Sequence, residues 1–146
     1  MWQPPKYGLV QEKFLPDGWK VLCCCLCLNL TTRKQMEPVM DILFQRWPSA
    51  ASLAAANEAD VEDVIKSLGM QKKRAVTLIK MSSQYASGSW TEVRELKGVG
   101  EYAARAYEIF ILGKIGSSPP KDHALLLYWN FLFQNHPELF DNSEAA

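Results

Sequence analysis

Two glycines, Gly98 and Gly100, stand two residues apart in the stretch LKGVGEYAARAYEIF, just ahead of an alanine-rich amphipathic run. Glycines in such a turn can take φ > 0 and carry no side chain to hold another molecule at a distance. The first amides of the helix that follows have no intrahelical partner, and together with the helix dipole they make a place for an anion. Val99, between the glycines, is expected to point inward and pin the turn. A phosphate held through backbone amides is bound without regard to sequence, which suits a protein that scans DNA. An ordinary helix–helix turn can use the same glycines. Lys66, Lys72, Lys73, Arg74 and Lys80 lie in a stretch with no acid between Asp63 and Glu92. They are either a solvated helix face or a second phosphate-contacting edge. Asp122 opens the last apolar helical run. As an N-cap it contributes about 1 kcal/mol. It is also a carboxylate whose charged form is favoured at a helix N-terminus.

The elements that must position these residues read as helices throughout. Asp17 can cap a helix from Trp19 to about Asn29, apolar nearly all round and therefore central. Lys34 to Trp47 forms a second, with Met36, Val39, Met40, Leu43 and Phe44 on one face and Pro48 as its stop. SAASLAAAN predicts a short helix. Asp60 can cap Val61–Leu68, with Gly69 as its left-handed terminator. KKRAVTLIKMSSQYA turns Ala75, Leu78, Ile79 and Met81 toward the core. Trp90 to Glu95 gives a short helix into the glycines, Tyr102 to Leu112 the helix after them. Asp122 to about Asn135 is the last, burying Leu125, Leu126, Trp129 and Leu132. No strand-like alternation is visible. The expectation is an all-α domain over residues 1–146, with roughly eight short helices, an extended arm at 1–16 and a loose tail at 137–146.

With 146 residues, one domain or two tightly packed lobes is expected, and 48% hydrophobic residues suffice for a core. Sixteen basic and sixteen acidic residues balance, so any nucleic-acid surface must be a local patch. Cys23, Cys24, Cys25 and Cys27 crowd one apolar helix, where they cannot pair with one another and lack the further ligands of a zinc site. They read as small buried hydrophobes in a reducing compartment, cytosol or nucleus. No run reaches the about 18–20 apolar residues of a membrane span, and no signal peptide is visible.

LKGVGEYAARAY, followed by Asp122–His123, resembles the helix-hairpin-helix DNA glycosylase superfamily. That family's pattern is Leu-Pro-Gly-Val-Gly, a helix, then an aspartate some twenty residues on. LVQEKF, WKVLCCCLCLNLTTRKQ, SLGMQKKRA and PPKDHALLLYWNFL extend the similarity over about 2–136, to the glycosylase domains of methyl-CpG-binding-domain thymine DNA glycosylases. The resemblance implies a two-lobed helical bundle with double-stranded DNA across the cleft. It implies Asp122 as the catalytic aspartate, Tyr102 and Gln11 as base-pocket residues, and the Gly98–Val99–Gly100 turn, helped by Lys97, Lys72 and Lys73, as the backbone-holding part. Leu30 and Met70 would occupy the positions that wedge into the duplex. Lys97 stands where the family usually has proline, which loosens the turn but adds a charge. Leu30 stands where close relatives commonly have a basic residue.

The implied chemistry is cleavage of an N-glycosidic bond. Positive charge develops on the deoxyribose, and an ionised Asp122 stabilises it and orients or deprotonates the attacking water. The target base must first leave the stack. Relatives that also cut the strand have a lysine at the position of Tyr102, which attacks the sugar to form a Schiff base. A phenol does not, so a monofunctional glycosylase for thymine or uracil opposite guanine is expected, a nuclear monomer. The alternative is a non-catalytic helix-hairpin-helix module that only locates lesions and has no need of Asp122. Cysteine is absent after Cys27, so the four-cysteine iron–sulfur loop of many relatives cannot form. The chemistry needs no metal, and an alkali ion at the carbonyls of the 96–99 turn is the one ion such hairpins commonly allow.

Overall fold

A computed structural model describes residues 2–28, 31–116 and 118–141. Helix α1 (Gly18–Cys27) is central. Asp17 caps it, its side chain accepting from the Lys20 amide at 3.2 Å. Trp19, Val21, Leu22 and all four cysteines are buried, and the cysteines are unpaired. Burial pushes the Cys25 and Cys27 thiols up to about 12. The Trp19 indole donates to Ser82 Oγ at 2.8 Å, tying α1 to the long helix over Gln71–Ser87.

One lobe consists of α2 (Arg33–Arg46), α3 (Ala50–Ala54), α4 (Glu58–Ile65) and α5 (Gln71–Ser87). A Thr32–Gln35 capping box starts α2. The cap of α4 is Asn57, not Asp60: the Asn57 side chain accepts from the Ala59 amide at 2.8 Å. Asn57 comes first as the chain leaves α3, and Glu58 and Asp60 then sit in the first turn, where acids favour the dipole. A 3₁₀ turn over Lys66–Leu68 follows. Gly69 has positive φ (80°) but ψ of 165°, so the left-handed residue is Met70 instead, with φ 49° and ψ 36°. The expected termination at Gly69 is thus spread over two residues.

The second lobe holds the N-terminal arm, α6 (Glu101–Tyr107) running on through a π-helical turn (Glu108–Leu112), α7 (His123–Asn135) and α8 (Glu138–Asp141). Leu125, Tyr128, Trp129 and Leu132 are buried, while Leu126 is only partly so. Tyr128 stacks on Phe110 with ring centres 5.0 Å apart, and its hydroxyl donates to the Pro5 carbonyl at 2.6 Å. The Trp2 indole donates to the Ile109 carbonyl at 2.9 Å. The arm is therefore fastened at both rings and includes a 3₁₀ turn over Val10–Phe14. Phe140 of α8 packs edge-on against Trp129, so the C-terminal segment starts with a packed turn. Between Trp90 and Glu95 only Val93–Glu95 is helical, as a 3₁₀ turn. Among the described residues there is no strand.

Candidate active site

The hairpin is built from the 3₁₀ turn at Val93–Glu95, a bend through Leu96–Gly100, and α6. The buried Val99 points inward, and its amide donates to the Leu96 carbonyl at 3.1 Å. The two glycines serve different ends. Gly98 has φ +80°, and a Cβ there would strike the Thr77 methyl and come within 3.1 Å of Leu26 Cδ2. Gly100 has an ordinary φ of −91°, which any residue adopts, and open space where a Cβ would stand. The expectation of positive φ therefore holds for Gly98 and fails for Gly100. Gly100 is the N-cap of α6 and has no side chain to cap it, so among the described residues the first-turn amides have no side-chain partner. Lys97 explains its own departure from proline: its backbone N–H donates to Gln84 Oε1 at 2.7 Å, a bond proline cannot make.

The hairpin forms one wall of a cavity of about 800 Å³ between the lobes. The C-terminal end of α1 (Cys25 to Leu28) forms a second wall, the start of α5 (Met70, Lys73, Arg74, Thr77) a third, and Asp122 with Ala124 closes the side at α7. Tyr102 faces the same space. Asp122 caps α7 through Oδ2, which accepts from the Leu125 amide at 3.1 Å. Its Oδ1 has no hydrogen-bond partner among the described residues, so one carboxylate oxygen is held and the other is available. The cap and the catalytic reading of Asp122 are thus compatible. The loop carrying Asp122 is tied back to α6 by Arg105, whose Nη2 donates to the carbonyls of Ile115 (3.1 Å) and Ser118 (2.9 Å). His123 is exposed.

Gln11 is 2% exposed and stands behind Tyr102, its Nε2 donating to the Tyr102 hydroxyl at 2.6 Å and lying 3.8 Å from Cys25 Sγ. Burial first, then the neighbouring Cys25 and Asp122, holds the phenol well above its ordinary titration range, so Tyr102 stays neutral. Cys25 and Cys27, read from sequence as small buried hydrophobes, are buried and also part of the cavity wall. Nothing in the sequence distinguishes them from Cys23 and Cys24.

The basic edge divides. Lys72 and Lys73 are exposed, and Lys73 borders the cavity. Lys66 pairs with Asp63 at 3.0 Å. Arg74 is buried, its Nη1 donating to the Leu68 carbonyl at 2.9 Å, so it shapes the loop under Met70 instead of facing solvent. Met70 is 46% exposed on that rim, an apolar side chain held out by left-handed backbone. Leu30, the other expected wedge, lies outside the described residues.

A helical bundle with this hairpin, and an aspartate facing it across a cleft, defines a class. The model of HhH-GPD superfamily base excision DNA repair proteins matches residues 23–137, and the chain belongs to that family. Among individual relatives, it is 41% identical over 133 residues to the methyl-CpG-binding domain protein 4-like protein of Arabidopsis thaliana, covering 90% of this chain and 30% of the relative. It is 30% identical over 126 residues to the thymine-DNA glycosylase of Aeropyrum pernix, covering 78% of this chain and 55% of that protein. The chain thus spans between about a third and a little over half of these relatives' length. In fold, it matches a thermostable thymine-DNA glycosylase with a TM-score of 0.64 at 19% identity, over 88% of this chain and 65% of that one. A non-covalent endonuclease III–DNA complex gives 0.63 at 16% identity, over 79% and 60%.

Proposed function

We propose that this chain is a monofunctional DNA glycosylase that removes thymine or uracil mispaired with guanine from double-stranded DNA, as a nuclear monomer in base excision repair. The observation that carries the proposal is the half-engaged Asp122 carboxylate. Asp122, with Oδ2 on the Leu125 amide, lines the same cavity as Tyr102 and the open end of the hairpin. The relatives named as thymine-DNA and thymine/uracil-DNA glycosylases support the substrate class.

In this reading the hairpin amides and Gly100's open face hold a phosphate, and Lys97, Lys72 and Lys73 add charge along the backbone. The flipped pyrimidine enters the cavity. Met70 and Leu30 fill the vacated stack, as apolar wedges do. The neutral Tyr102 hydroxyl bounds the base pocket, and the Gln11 amide behind it fixes where that hydroxyl stands. As the bond between the pyrimidine nitrogen and C1′ lengthens, Asp122 stabilises the positive charge on the sugar and orients or deprotonates the water that attacks C1′. The pyrimidine leaves with the bonding electron pair and takes up a proton, the water oxygen stays on C1′, and the products are the free base and an abasic site. No cofactor or metal enters these steps. An alkali ion at the 96–99 carbonyls would only help to seat the phosphate.

Tyr102 stands where strand-cutting relatives carry the Schiff-base lysine, so no lyase step is expected. Lys73 borders the cavity, and borohydride trapping on a mismatch duplex tests it with Lys97 and Lys121. A covalent protein–DNA adduct would contradict the monofunctional reading. The substrate is tested by incubating duplexes containing T:G, U:G and matched pairs and cleaving abasic sites with alkali. Strand scission confined to mismatched strands is expected. DNA binding with no scission on any duplex would leave the non-catalytic module.

A further inference from the structure

Arg94 sits in the 3₁₀ turn that opens the hairpin and gathers three carboxylates. Its Nε and Nη2 donate to both oxygens of Glu101, at 3.0 and 2.9 Å. Nη1 reaches Glu108 Oε2 at 3.0 Å and Glu92 Oε1 at 2.8 Å. Glu101 is the critical partner. It is the first residue of α6, borders the cavity, and its side chain is 67% exposed. A carboxylate at that position is just what the open first-turn amides attract. Yet among the described residues no side chain caps those amides, and both Glu101 oxygens are on Arg94 instead.

We infer that Arg94 is a positioning residue that holds the Glu101 carboxylate away from the amides of the hairpin, leaving them open for a DNA phosphate. This rests on the reading that the hairpin holds a phosphate. Released from Arg94, Glu101 is both an internal competitor for the amides and a like charge facing the backbone. The planar guanidinium suits the task because it grips a carboxylate with two parallel bonds, fixing its direction as well as offsetting its charge. Arg94 holds Glu101 ionised, shifting its carboxyl below the usual range. Without that grip the charge would persist at neutral pH and only its direction would be lost. Sequence alone does not reveal the device, since an Arg seven residues before a Glu is unremarkable until the hairpin folds one onto the other.

The test is affinity for an undamaged duplex at 50 and 200 mM salt, for wild type, Arg94→Gln, Glu101→Gln, the double variant and Gly100→Ala. Arg94→Gln is expected to weaken binding about three- to tenfold at the lower salt, with the difference shrinking at the higher salt because exposed charges are screened. Glu101→Gln is expected to bind at least as tightly as wild type, and the double variant to return to wild-type affinity. Circular dichroism checks that the helices remain. Unchanged binding by Arg94→Gln overturns the inference. So does a double variant that stays weak, which would make Arg94 itself a phosphate contact. Gly100→Ala separates the two levels: if it binds normally, the phosphate site itself is wrong. If it weakens binding while Arg94→Gln does not, only the role of Arg94 falls.

Discussion

Replacing Gly98 and Gly100 singly with alanine should have opposite consequences. At Gly98 the backbone has φ +80°, and the new Cβ would meet the Thr77 methyl and Leu26. Left-handed backbone costs an alanine about 1–2 kcal/mol, and forcing a methyl into a packed site costs about 1–3 more, so a loss of about 2–5 kcal/mol is expected. For a chain of this size that lowers Tm by about 6–20 °C. At Gly100, φ is −91° and nothing lies within 4 Å of the added carbon. The cost there is the poorer capping of alanine, about 1 kcal/mol or less. Gly100→Ala should nonetheless weaken DNA binding, and equally on matched and mismatched duplexes, because its methyl intrudes on a backbone contact that carries no base information. Thermal unfolding followed by circular dichroism reads the first effect, and a binding titration on both duplexes the second. Thr77→Ser in the Gly98→Ala background should recover the packing share of the loss and leave the backbone share. Equal melting of Gly98→Ala and wild type would refute the tight left-handed turn. Normal binding by folded Gly100→Ala would refute the phosphate cradle.

Further outcomes follow from the basic edge and the cysteines. Lys73→Gln should reduce the slope of log affinity against log salt by about one, since one counterion fewer is released, whereas Lys66→Gln, whose charge is already paired with Asp63, should leave the slope nearly unchanged. Burial raises the buried thiols well above their unfolded value, so the unfolded chain loses these protons first, and stability is full below about pH 8.5 and falls above it by up to about 1.4 kcal/mol per pH unit per thiol. A Tm series from pH 7 to 10 checks this, and Cys23→Ala together with Cys27→Ala, which leaves Cys24 and Cys25, should about halve the fall; a flat wild-type profile would contradict the burial.

Much of the fold was legible because apolar spacing and caps carry it. Asp17, Pro48 and Asp122 mark helix ends with chemistry that is local in sequence, whereas the Thr32–Gln35 capping box that starts α2 was not read there. The shift from Asp60 to Asn57 shows the limit of that signal, since two good caps lay within one turn. The hairpin and its spaced aspartate were readable as a motif. What was not readable depends on contacts distant in sequence. Thr77 makes Gly98 obligatory while Gly100 remains free. Gln84 gives Lys97 a reason to replace proline. Arg105 steadies the loop that carries Asp122. Arg74, one of five similar charges in sequence, turns inward to hold the Leu68 carbonyl, so a linear count of the basic edge overstates what faces solvent.

The central claim is that the free oxygen of Asp122 acts in base release and not merely in capping α7. Asn keeps a side-chain oxygen for the Leu125 amide, so Asp122→Asn should fold and bind duplex DNA as the wild type does. It loses the charge that offsets the developing positive sugar, so single-turnover excision from a T:G or U:G duplex should fall by at least about 10²-fold. Excision and affinity measured on the same preparations decide the matter. Loss of excision with affinity and Tm retained is the predicted result, and near-normal excision by Asp122→Asn would contradict the account.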